Sequence, residues 1–210
     1  MHPSPAFRNT DLPAARALMA AHPFATLCVN GRDGPMVALA PLVLSEDSAA
    51  LEGHVARANP FWRSLDGGPK DAVALFQGPN AYVSPSWYPS KAEHGRVVPT
   101  WNYSAVEVRG RLAALDAEET LAGLNRLTDA MEADRPQPWR VVDAPADYVD
   151  RLQRGIVGLR LEIGELIAVD KLSQNKDAAD HAGVVAGLSA SMRVGDRAIA
   201  NQMKHQERTP

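Results

Sequence analysis

One cysteine, Cys28, is all that 210 residues provide. An intrachain disulfide is excluded, and a lone thiol suits a reducing compartment, so a cytoplasmic protein is expected. Cys28 lies in an apolar run and reads as a small core hydrophobe. No apolar run approaches the roughly 18–20 residues of a membrane span. The opening MHPSPAFRNTD lacks the apolar centre of a signal peptide. Positive charge is not in excess either: 22 Lys and Arg face 25 Asp and Glu, for a formal charge of −3. That balance gives no broad field for nucleic acid, and no helix-turn-helix signature accompanies it, so tight direct DNA binding is not supported. The six histidines show neither HxxxH nor HExxH spacing, and no metal site is expected. GxGxxG after a strand, GxxxxGK[ST] and a nucleophile elbow are all missing. Aromatic residues are scarce, at 6%.

The few aromatics are unevenly placed. The stretch Gln77–Leu112 holds Trp87 and Trp101, two of the four Trp, and Tyr82, Tyr88 and Tyr103, three of the four Tyr. Lys91, His94 and Arg96 share one loop within it. Ala72–Phe76 before it is a short apolar run, ended by the turn signal Gly78-Pro79-Asn80. Ala105–Leu112 after it alternates, Val106 and Val108 against Glu107, Arg109 and Arg111, as a strand with one buried face does. Two strands therefore bracket a connection from about Ser84 to Tyr103. A connection this long is usually functional or disordered, and its aromatics argue against disorder. Rigid rings, cations and amides suit a flat anionic ligand; the plainer alternative is a long hairpin loop with a satellite aromatic cluster.

Elsewhere the chain alternates short strands with short helices. Pro3 and Pro5 give an extended lead-in, and Thr10 or Asp11 caps a first helix with Pro13 in its first turn. Phe24–Val29 and Met36–Leu44 flank Asn30-Gly31-Arg32-Asp33-Gly34 and read as a hairpin, with Pro41 suggesting a bulge or an edge. Leu51–Val55 reads as a third strand, and Asn59-Pro60 opens a short helix to Leu65. Asp116 and Glu119 form a capping box ahead of Leu121, Leu124, Leu127 and Met131 at helical spacing. A short helix is expected over Pro145–Gly155, strands over Ile156–Ile163 and Leu166–Val169, and a helix from about Asp177 to Leu188. Residues 1–188 read as a single domain and 189–210 as a C-terminal tail or arm. Six to eight strands without βαβ alternation indicate an α+β protein, mainly β with peripheral helices, built on an antiparallel barrel.

The chemistry-bearing set is Ser84, Ser86, Trp87, Lys91, Thr100, Trp101, Asn102 and Tyr103, joined by His54, Arg57 and Lys171–Lys176. A phosphate asks for cations beside hydroxyl or backbone donors, which Lys91, Ser84 and Thr100 offer. A flat heterocycle asks for an aromatic wall and amides at its rim, which Trp101, Asn102, Gln174 and Asn175 offer. Against this stand core packing for the two tryptophans, solvated charge for Lys91 and Arg96, and a satisfied half-buried imidazole for His54. No catalytic residue is identified; His54 and His94 are the only acid–base candidates.

These segments resemble the PaiB family, FMN-binding negative transcriptional regulators. The matching stretches are HPFATL (His22–Leu27), GHVARANPFW (Gly53–Trp62), Ala74–Arg111 with SPSWYPSKAEHGRVVPTWNY at its centre, PWRVVDAPADY (Pro138–Tyr148), GIVG (Gly155–Gly158), KLSQN (Lys171–Asn175) and Ala182-Gly183. The resemblance implies a split β-barrel of the FMN-binding type, related to pyridoxamine phosphate oxidase, working as a homodimer with each flavin in a cleft between chains. It implies FMN contact at Ser84, Lys91, Trp101, Asn102 and Tyr103, and also at His54, Arg57, Lys171, Gln174 and Asn175. It implies a negative transcriptional regulator acting indirectly or as a ligand or redox sensor; the alternatives are an FMN-dependent oxidoreductase using NAD(P)H and a cofactor-free dimer. One departure stands out. Where the family usually shows Thr-His, this chain has Ala38-Leu39, and each hydrogen bond so lost is worth roughly 0.5–1.5 kcal/mol.

Overall fold

A computed structural model of the chain describes residues 1 and 4–205. The part of the lead-in at Pro3 and the end of the tail, 206–210, lie outside the described residues. Seven strands run in the order β1 (Arg8–Asn9), β7 (Ile156–Lys171), β4 (Ala50–Ala56), β3 (Gly34–Leu44), β2 (Phe24–Gly31), β5 (Lys70–Val83), β6 (Thr100–Ala114), and β7 also pairs with β6. The registered pairs are antiparallel. Helices α1 (Leu12–Ala21), α2 (Ser90–His94), α3 (Ala117–Glu132), α4 (Ala146–Gln153), α5 (Ala178–Ser189) and α6 (Val194–His205) complete the fold. The chain falls into two compact units, one of residues 1–18, 77–106 and 167–210, the other of 19–76 and 107–166. Below, these are the first and second units.

In the second unit β2 and β3 form the expected hairpin, Gly31 opposite Gly34. Ala25, Leu27 and Val29 point inward and are buried, as are Ala38, Ala40 and Leu42 across from them. The run FATLCV is thus two-faced. Cys28 sits on the outward face and is half-buried, so it is no core residue. Phe24, Val37 and Leu39 share that outward face at 65%, 60% and 59% exposure. Pro41 lies inside a central strand rather than at an edge or bulge. It occupies the changeover where pairing with β2 ends, at Phe24, and pairing with β4 starts, at Leu42–Gly53; a missing N–H costs least there. Asp116 caps α3 as expected, accepting from Glu119 N at 2.8 Å while the Glu119 carboxylate returns to Asp116 N at 3.1 Å. α3 packs on β3 and β4 through Thr120, Gly123 and Leu127, leaving Met131 largely exposed.

In the first unit the Gly78-Pro79-Asn80 signal does not end a strand. β5 continues to Val83, because Gly78 lets its backbone approach Ser104 O, where a Cβ would stand only 3.0 Å away. β6 begins earlier than its alternation shows, at Thr100. The connection is correspondingly shorter and carries a 3-10 turn (Pro85–Trp87) and α2. The two strands expected after Gly155 are one, β7. Residues 194–205, read as tail or arm, form α6. Its Ile199, Ala200 and Met203 pack with Ala81, Val83, Tyr88, Leu172, Val184 and Leu188 in a buried cluster. Trp87 joins that cluster because Gly187 leaves room for its indole; a Cβ there would meet the ring at 2.4 Å.

Candidate functional site

Most of the expected site residues belong to the first unit. Ser84 caps the 3-10 turn, its Oγ accepting from Ser86 N at 3.2 Å. Lys91 is exposed, and its Nζ donates to Ser86 Oγ at 3.3 Å. Trp101 is half exposed and meets Tyr82 edge to face, centroids 6.0 Å apart. Tyr103 follows on the same strand, half-buried.

Asn102 is 0% exposed. Its amide nitrogen donates to Ser173 Oγ at 2.9 Å and lies 3.5 Å from Met203 Sδ. Ser173 is itself buried and holds a left-handed backbone, φ 61°, that serine seldom adopts. Gln174 then closes the turn from both sides: Leu172 N donates to its Oε1 at 2.8 Å and its Nε2 donates to Asp170 O at 2.5 Å. The amides of Asn102 and Gln174 are therefore spent on building the KLSQN turn. What the turn presents is Asn175, exposed, and Lys171, whose Nζ donates to Thr100 Oγ1 at 2.6 Å and lies 5.9 Å from the Phe7 ring centroid. Among the described residues neither Lys91 nor Lys171 has a carboxylate partner.

His54 and Arg57 belong to the second unit. Arg57 directly follows β4 and is knitted into the backbone, its Nε donating to Arg154 O at 2.7 Å and its Nη2 to Ile156 O at 2.8 Å. Trp62 Nε1 returns a bond to Arg57 O at 2.8 Å. The two side chains wall a cavity of about 490 Å³ that Leu65, Arg154 and Gly158 also line.

His54 is half-buried opposite Gly158, and burial holds its imidazole below the ordinary value of 6.5. The folded protein then binds fewer protons at His54 than the unfolded chain does. Its contribution to stability is whole above the unfolded value and is lost as pH falls through that value toward the lowered one. A His54→Gln variant should lose less stability than the parent between pH 7.5 and 5.5; equal losses in urea titrations would refute this.

Sequence reasoning passed over Ser173, although it lies within KLSQN, because a left-handed serine has no sequence mark. It also passed over Tyr82, whose exposure is signalled by its buried neighbours Ala81 and Val83.

The family "Putative FMN-binding domain" matches residues 1–165. Protease synthase and sporulation protein PAI 2 of Bacillus subtilis is 30% identical, with 86% of each chain covered. An uncharacterized protein of Aspergillus fumigatus is 34% identical, and the chain spans 65% of that relative's length. Among solved structures, the FAD and heme binding protein of Mycobacterium smegmatis superposes with a TM-score of 0.59 at 16% identity, covering 86% of this chain and 80% of its own. Flavocytochrome Anf3 of Azotobacter vinelandii gives 0.60 at 15%, covering 86% and 78%. These likenesses speak for the fold, a split barrel, mainly β with peripheral helices. On the match over residues 1–165 and the identity to PAI 2, the chain belongs to the PaiB-like family of flavin-binding split-barrel proteins.

Proposed function

We propose that this protein binds FMN as a homodimer and serves as a negative regulator of gene expression, with the flavin as its sensor of ligand or redox state. One observation carries the flavin reading: Lys91 and Lys171 are ammonium groups whose described side-chain polar partners are hydroxyls, Ser86 and Thr100, with no acid at either. They lie in a unit with ten Lys and Arg against seven Asp and Glu, in a chain that is acidic overall. A cation without an acid suits an incoming phosphate, and Ser84, Ser86 and Thr100 add hydroxyls. Trp101, edge to face with Tyr82, offers the aromatic wall, with Tyr103 next along the strand and Asn175 as an exposed amide. Asn102, Ser173 and Gln174 serve as positioning residues, holding Lys171 in place. The residues thus fit a phosphorylated flat ring, and FMN would supply the electron chemistry.

The outward face of Phe24, Val37 and Leu39 is the surface we assign to the second copy, since an apolar sheet face of this kind marks an association site. His54 and Arg57 are proposed flavin contacts as well, Arg57 through the guanidinium edge its two carbonyls leave free. Ala38 is buried, so the family's threonine position faces inward here, while Leu39 faces out; the loss falls on the histidine position. Regulation rather than catalysis is our preference because the relative PAI 2 carries the name of a sporulation protein.

The test is a titration with FMN and, separately, riboflavin, followed by the flavin absorbance in the ultracentrifuge. The parent should sediment as a two-chain species carrying FMN. Lys91→Ala should weaken FMN about tenfold or more and leave riboflavin nearly unchanged, because a charge-assisted bond to phosphate is lost. Equal weakening of both, or no binding by the parent at saturating FMN, would sink the reading. Steady NAD(P)H turnover by the loaded dimer would select the oxidoreductase instead.

A further inference from the structure

The second unit is acidic: 18 Asp and Glu against 12 Lys and Arg. With acids in excess, its arginines should find partners easily, and most do. Arg109, Arg111, Arg126 and Arg160 hold carboxylates, while Arg57 and Arg154 hold backbone carbonyls. Among the described residues five do not, Arg32, Arg63, Arg135, Arg140 and Arg151, and two of these, Arg32 and Arg63, share one site. Among the described residues, neither has an ion pair or a hydrogen bond from its guanidinium. Yet both line one hollow of about 440 Å³, between the tip of the β2–β3 hairpin and the 3-10 helix Pro60–Leu65.

The hollow is not an accident of two loose side chains. Arg63 is stacked against the Trp62 ring, its Cζ 5.7 Å from the centroid, and Trp62 is fixed by its bond to Arg57 O. Stacking restrains the guanidinium without consuming its donors. The hairpin turn carries Arg32 and is held by the β2–β3 ladder down to Gly31–Gly34. Pro35, Met36 and Pro60 supply an apolar lining, stiff at the two prolines. The Ser64 hydroxyl at the rim spends its proton on Phe61 O at 2.7 Å, so the donors available are the guanidiniums.

We propose that this hollow receives the phosphate or diphosphate group of a small molecule, with Arg32 and Arg63 as its paired cations. Asp33 lies at the same rim and decides the charge class. It offsets one of the two positive charges, so a carboxylate with a single charge gains little there. A phosphate monoester carries about −1.5 to −2 at neutral pH and presents three acceptor oxygens, enough to engage both forks. None of the residues lining the hollow is among the proposed flavin contacts, so the site can be tested apart from the flavin reading.

Isothermal titration with pyrophosphate and with inorganic phosphate tests it, at low and at raised salt. The parent should bind pyrophosphate saturably and acetate not at all. The double variant Arg32→Gln/Arg63→Gln should bind pyrophosphate at least about tenfold more weakly, with an unchanged thermal midpoint. Its FMN and riboflavin affinities should stay at parental values. No saturable binding by the parent, or equal binding by parent and variant, would overturn the site. Loss of FMN with riboflavin retained would also overturn it, because the hollow would then be the flavin's own phosphate pocket.

Discussion

Glu52→Ala should destabilise the protein by about 3 kcal/mol, because it leaves two partly buried guanidiniums without their shared carboxylate. Glu52 sits on β4 and is only 4% exposed. Both of its oxygens are engaged. Arg160 Nη1 of β7 donates to Oε1 at 2.6 Å, while Arg126 of α3 donates to Oε2 through Nε at 2.9 Å and through Nη2. One carboxylate therefore ties a helix to two strands. Arg160 keeps Glu162 as a second partner at 2.5 Å, but among the described residues Arg126 has no other acid, and without Glu52 both guanidiniums lose their shared carboxylate. Glu52→Gln should recover part of the loss, since an amide oxygen can accept from one arginine while its NH2 repels the other. Urea unfolding measures both; a loss below about 1 kcal/mol for the alanine variant would show the triad to be solvated like a surface pair.

Gly110→Ala should cost about 3 kcal/mol or more, at the upper end of what overpacking does. A Cβ on Gly110 would stand 1.7 Å from Glu162 O and 2.9 Å from Glu162 C. These are backbone atoms of β7, which is paired with β4 through Glu162–Ala50 and cannot swing aside as a side chain would. The substitution must part β6 from β7. Gly34→Ala is the useful contrast. Its φ of 130° disfavours a side chain, but nothing lies within 4 Å of the added atom, so its cost is conformational, about 1–3 kcal/mol. Similar thermal midpoints for Gly110→Ala and the parent would mean that β6 and β7 separate without penalty.

Three local signals in the sequence were legible and proved accurate. The capping box at Asp116, the Gly-flanked hairpin and the alternation of Ile156–Ile163 each depend on neighbours a few residues away. What was not legible depends on partners far along the chain. Gly78-Pro79-Asn80 reads as a turn until Ser104 is known to lie against Gly78. Cys28 reads as core until pairing with Val37 puts it on the outward face. Asn102 reads as a ligand-facing amide until Ser173, 71 residues away, takes its hydrogen bond. The Glu52 triad gives no sign at all, because Arg126 and Arg160 lie 74 and 108 residues away. For the site the lesson is similar: residue types were readable, but which of them still have donors to offer was not.

The first unit is assembled from three separated stretches, and its buried cluster joins Ala81, Val83 and Tyr88 to residues from Leu172 to Met203. During synthesis the amino-terminal part emerges from the ribosome long before its partners exist. The second unit can be completed once Leu166 is out, whereas the nascent aromatic segment must wait with its apolar face uncovered until α6 has been translated. Such a delay exposes a chain to chaperones and to misassociation, so the order of translation makes the lysine-bearing half the last to mature.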